Sequence, residues 1–119
     1  MEQMEVELEG GQSPDVTVIR LKGPFVIASM FQFQSMLREP TLKNVIIDLS
    51  GVPYIDSAAL GVLLGHWSHT QRLGCKLALI GMSPRVHTIF ELTHTDTVLP
   101  IFVAQAEAEA FISKAPGTA

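Results

Sequence analysis

The chain has 119 residues, 47% of them hydrophobic and 17% charged, with a formal net charge of −4 at pH 7. That balance describes one folded domain with a single core and excludes an intrinsically disordered chain. The acidic excess, with no basic cluster, argues against nucleic acid or an anionic membrane surface as a direct partner.

Cys75 is the only cysteine, so no internal disulfide can form and a reducing compartment is expected. No stretch reads as a secretory leader or a membrane span, so the expected localisation is cytoplasmic, with no membrane partner.

Met4 to Glu9 alternates apolar and acidic residues, which predicts a half-exposed strand. Gly10 to Asp15 is a turn cluster, and Val16 to Leu21 alternates again, imperfectly at Ile19. The two segments are expected to pair as an antiparallel hairpin at one side of a sheet. Gly23-Pro24 stops the second strand. Ser29 and Gln32 stand at capping-box spacing and predict a helix over about 30–38, burying Met30, Phe33 and Leu37 and ending at Glu39-Pro40.

Val45-Ile46-Ile47-Asp48-Leu49 is rich in β-branched residues and predicts a strand covered on both faces. Ser50-Gly51-Val52-Pro53 is a turn. Leu60, Leu63, Leu64 and Trp67 then recur at helical spacing, and Asp56 and Ser57 are both good N-cap residues. Arg72 in the last turn and Gly74 beyond it close that helix. Lys76 to Ile80 reads as another short strand. Ser83 as cap and Pro84 at the first helical position open a third helix, whose apolar face is Val86, Ile89 and Phe90.

Val98 to Val103 is a last strand, confined to an edge by Pro100. Ala104 to Lys114 is helix-prone and docks through Phe111 and Ile112; residues 115–119 are expected to be disordered. Strand–helix alternation of this kind requires parallel neighbours joined by right-handed crossovers. The expectation is a single α/β domain over 1–119, core about 4–113, with a mixed, mostly parallel five-stranded sheet and about four helices.

The chemistry concentrates at Ser57. In the first turn of a helix, unpaired N–H groups and the helix dipole favour added negative charge, and Ala58, Ala59 and Gly61 leave the hydroxyl open to approach. Ser57 is therefore a candidate phosphate acceptor, though a plain capping hydroxyl would have the same setting. An enzyme reading fails: Ile55 and Ala59 occupy the glycine positions of a nucleophile elbow, and His66 and His69 lie too far along the helix to serve as base.

As metal ligands the two histidines lack a nearby third group and read as ordinary, partly exposed side chains. Asp48, late in a central strand, lacks the further carboxylates that a Mg²⁺ site needs. No catalytic set, metal or cofactor is expected. Gly61 and Gly65, four apart, form a smooth strip that either packs closely inside the domain or receives a partner helix.

Asp48-Leu49-Ser50-Gly51-Val52-Pro53-Tyr54-Ile55-Asp56-Ser57-Ala58-Ala59-Leu60-Gly61 closely resembles the signature of STAS domains, in particular the bacterial anti-sigma factor antagonists. A second match runs from Ser83-Pro84-Arg85-Val86 through Phe90-Glu91-Leu92-Thr93 to Leu99-Pro100-Ile101-Phe102. The resemblance implies a β-α superhelix with most helices on one face of the sheet. It implies phosphorylation of Ser57 by an anti-sigma factor that is itself a serine kinase, release of that partner on phosphorylation, and resetting by a serine phosphatase.

Asp56 is implied to support the acceptor loop, and the partner-binding set is Asp56, Ser57, Ala58, Ala59, Gly61, Val62 and Gly65, on a monomer or weak dimer. Three positions depart from the family pattern. Ala58-Ala59 stands where Ser-Gly is frequent, Gly23-Pro24-Phe25-Val26 lacks a common Leu-Asp pair, and His94-Thr95-Asp96 replaces a turn that usually holds glycine. The same fold could instead serve as a scaffold subunit of a stress-signalling or lipid-transport assembly, or as a nucleotide sensor. The last has no glycine-rich phosphate loop to support it.

Overall fold

Two alternating segments open the chain as a ribbon. In the computed structural model, which describes residues 4–114, β1 (Glu5–Gly10) pairs antiparallel with β2 (Val16–Lys22), Glu5 opposite Lys22 and Gly10 opposite Thr17. The expected disordered tail at 115–119 lies outside the described residues. Met4 and Val6 turn toward the core, whereas Leu8, nearer the turn, is exposed.

The remaining strands join in parallel: β3 (Asn44–Gly51) beside β2, β4 (Leu77–Ile80) beside β3, and β5 (Ile101–Phe102) at the far edge. Val45 to Leu49 is buried at every position, as a strand covered on both faces must be.

The period of two along each strand sorts the side chains into two cores. Ile19, Leu21, Ile47, Leu49 and Leu79 face one side. There α1 (Phe31–Met36), α2 (Ser57–Leu73) and α3 (Pro84–Leu92) cover them with Phe33, Leu60, Leu63, Val86 and Phe90. Val16, Val18, Ile46, Ala78 and Ile80 face the other side, where α4 (Gln105–Ser113) packs Ala108 and Ile112 against them. The helices thus lie mainly on one face, as expected.

Two local readings need correction. Ser29 does not cap α1: its hydroxyl donates to the carbonyl of Pro24, closing the preceding loop, and Met30 stands at the cap with no side-chain bond. Short polar side chains bond to nearby backbone in turns as readily as at caps, so here the turn takes the hydroxyl and the helix is only 31–36. The last strand covers 101–102 rather than 98–103, because 95–97 forms a 3₁₀ turn. Pro100 has no N–H for the ladder, though its carbonyl accepts from Leu79 N at 2.9 Å.

In the turn after α3, His94 takes φ 59°. A left-handed conformation is open to glycine at no cost and to histidine at a modest one, so this turn keeps its shape without its usual glycine.

Candidate functional site

The N-terminus of α2 is fixed by one carboxylate acting in two directions. Asp56, extended at φ −114°, is the N-cap: its Oδ1 accepts from Ala59 N at 2.9 Å, and its Oδ2 accepts from Ile27 N at 3.0 Å. The second bond ties the β2–α1 loop to the helix. Backbone bonds reinforce it, Phe25 N donating to Tyr54 O at 3.1 Å and Asp56 N to Phe25 O at 3.3 Å. Phe25 is fully buried, its ring edge-on to Phe33 with centroids 5.2 Å apart. The loop needs no acidic contact of its own, since its backbone and Phe25 anchor it.

Ser57 is exposed at the first position of α2, on this rigid platform. Three other serines use their hydroxyls locally: Ser50 donates to Asp48, Ser29 donates to Pro24 O, and Ser83 accepts from Val86 N. Apolar side chains stand exposed on the tied loop, at the start of α1 and in the segment before Asp56. Ile27 is 71% exposed, Phe31 80% and Tyr54 39%, and the Arg85 guanidinium lies 5.4 Å from the Tyr54 ring centroid. Sequence reasoning missed Ile27 and Phe31. The available signals were the apolar run Phe25-Val26-Ile27 in a loop and a phenylalanine off the Met30-Phe33-Leu37 stripe.

Of the other expected partner residues, Ala58 and Val62 are half-buried and Gly61 and Gly65 exposed, all on one stripe of α2. Ala59 is fully buried and presents no surface, a correction that follows from its place against the sheet. A Cβ built on Gly61 or Gly65 meets nothing within 4 Å. The glycine strip therefore does not serve internal packing, although glycine costs about 1 kcal/mol relative to alanine at each helical position.

Beside the strip runs an open groove of about 630 Å³ between α1 and α2, lined by Met30, Leu37, Arg38, Val62, Gly65 and His66 among others. His66 is also a correction: it is 8% exposed rather than partly exposed, and its Nε2 has no hydrogen-bond partner. Burial, and then the nearby His69 charge, push its pKa below 6.5. The His66 and His69 rings lie 5.8 Å apart, and among the described residues no third potential ligand makes them a metal-binding group.

Asp48 lies on the other face of the sheet, in a structural network. Arg20 bridges it to Glu9 and Gln105, and Ser50 donates through both N–H and hydroxyl. Burial raises its pKa, but the Ser50 bonds and the Arg20 guanidinium outweigh this and hold it below the ordinary carboxylate value. A carboxylate so occupied has no role as acceptor.

The STAS domain family profile matches residues 8–108. An "Anti-sigma F factor antagonist" from Paenibacillus polymyxa is 21% identical over 88% of this chain and 93% of that protein. Among solved structures, an anti-sigma factor antagonist from Mycobacterium paratuberculosis superposes with a TM-score of 0.82 at 16% identity, covering 94% of this chain and 96% of that one. The Bacillus cell fate determinant SpoIIAA in its phosphorylated form gives 0.68 at 18% identity, covering 91% and 99%.

Proposed function

The chain belongs to the STAS domain family, and on that premise we propose that it is an anti-sigma factor antagonist, a binding module switched by phosphate on Ser57. The observation that carries this reading is an exposed serine at the first position of α2, on a platform that Asp56 ties to both helix and loop. Unphosphorylated, the domain holds a serine-kinase anti-sigma factor and so frees the sigma factor; phosphorylated, it lets the kinase go. A serine phosphatase resets the cycle. The whole chain, 1–119, acts as one such domain in the cytoplasm, as a monomer or weak dimer, without catalysis of its own.

The surface offered to the kinase is Asp56, Ser57, Ala58, Gly61, Val62 and Gly65, with Ile27 and Phe31 at its margin. Phosphate at Ser57 adds about −2 charge at neutral pH. It meets the positive end of α2, so the free domain tolerates it, whereas a kinase packed over an unpaired charge does not.

The test is to incubate the domain with purified serine-kinase anti-sigma factors of the source organism and ATP, then map phosphopeptides. Phosphate is expected on Ser57 alone. Label on Ser29, Ser50 or Ser83 with Ser57 bare would overturn the reading.

A further inference from the structure

We propose that His66 is an acid-sensitive latch: while its ring is neutral α1 stays closed against α2, and when the ring takes up a proton α1 lifts away. Such a latch belongs to the free domain and does not depend on Ser57 being a phosphate switch.

The closed structure has no place for a charge on this ring. His66 stands on the wall of α2 that faces α1 across their groove and is 8% exposed. Its Nε2 is closed to solvent and has no hydrogen-bond partner. A neutral ring that carries its proton on Nδ1 leaves only an unmet acceptor at Nε2. An imidazolium turns that nitrogen into a donor with nothing to accept, and buries a cation with it.

The groups facing the ring add to the cost. On α2 the His69 ring lies 5.8 Å away, centroid to centroid. Across the groove stand Gln34 of α1 and, just past its end, Arg38. Among the described residues no carboxylate lines the groove. The sheet beneath presents apolar side chains such as Ile47 and Leu49, while Arg20 and Asp48 belong to its other face. Each ionisable group that faces the ring is therefore a base. Burial, and then His69, accordingly weaken the hold of the closed form on a proton.

Of the two helices, α1 is the one that yields. It has six residues and no side-chain cap, whereas α2 has 17, capped by Asp56 and closed by Gly74. So short a helix has little stability beyond what it packs against, here through Met30, Phe33 and Leu37. Lifting it hands the ring to water. An exposed ring titrates near 6.5, so it is about nine-tenths protonated at pH 5.5 and about one-tenth at pH 7.5. By linkage the open population rises about tenfold between the two. Phe31 moves with α1, and Ile27 sits in the loop leading into it, while Ser57 and its cap remain on α2.

The experiment is amide hydrogen exchange from pH 7.5 to 5.5, corrected for intrinsic rates, on wild type, His66→Gln and His69→Gln. The amides of Gln34 and Leu37, which donate to Met30 and Phe33, report α1; those of Ile46 and Ile47 report the central strand. In wild type and His69→Gln the α1 amides are expected to lose protection about tenfold toward pH 5.5, and to exchange faster than the strand throughout. His66→Gln should abolish the change. Unchanged α1 protection in wild type, the same loss in His66→Gln, or its disappearance in His69→Gln would overturn the proposal. So would α1 and strand amides exchanging together, which means global unfolding. Should His66→Gln fail to fold, wild type followed by histidine NMR to pH 4.5 decides. The ring is expected to protonate as native α1 signals vanish and strand signals persist. An α1 still in place at pH 4.5, with the ring charged or neutral, would overturn the proposal.

Discussion

At the scale of single residues, Asp56 carries the most structure. As N-cap it is worth about 0.5–2 kcal/mol, and its second oxygen holds Ile27 and hence the loop. Asp56→Ala should therefore lower stability by roughly 2 kcal/mol, read as a fall of several degrees in thermal midpoint. Asp56→Asn, with one carbonyl oxygen left as acceptor, keeps one bond of the two and should fall between. An Asp56→Ala domain as stable as wild type would show that neither bond matters.

His66 predicts a pH effect. Its folded pKa is below 6.5, so as pH falls the unfolded chain takes up the proton first. The unfolded state then binds more protons, and stability drops from about pH 6.5 downward until the folded ring titrates. Urea midpoints at pH 7.5 and 5.5 should differ more in wild type than in His66→Gln; equal differences would refute the assignment. Asp48 acts lower on the scale, its stabilisation lost only as pH falls below 3.8.

Elements differ in how far the sequence reveals them. The α2 start and stop were legible because Asp56, Arg72 and Gly74 are local signals, and Gly74 indeed closes the helix at φ 71°. The α1 cap was not, since Ser29 had two possible partners and only the folded loop chooses between them. The burial of His66 was equally hidden, because it depends on where α1 lies rather than on any spacing within α2. Ala59 shows the same limit: a small residue beside an exposed serine can point either way.

The glycine strip left two readings open that only the packed helix pair separates. Because a Cβ at Gly61 or Gly65 meets nothing, Gly65→Ala should stabilise the domain by up to about 1 kcal/mol, seen as a higher thermal midpoint. A lower midpoint would mean that the strip packs internally after all.

For the whole molecule, the mostly parallel pairing was legible in the alternating strand and helix patterns, whereas the strand order and the division of the expected single core into two were not, because both depend on how the elements pack. What makes the domain a switch is a difference between its free and bound states. In the free domain each phosphate charge gains roughly 0.3–1 kcal/mol from the helix N-terminus. It loses about 0.7 kcal/mol to Asp56 at a separation of about 6 Å in water. The two nearly cancel, so the fold is indifferent to modification. Under a partner, an unpaired charge costs several kcal/mol, and each 1.4 kcal/mol is about tenfold in affinity.

The direct test is to melt Ser57→Asp and titrate it with the serine-kinase anti-sigma factor beside wild type. An interface switch requires melting within a few degrees of wild type and binding about a hundredfold weaker or worse. A Ser57→Asp domain that unfolds, or that binds as tightly as wild type, would contradict it.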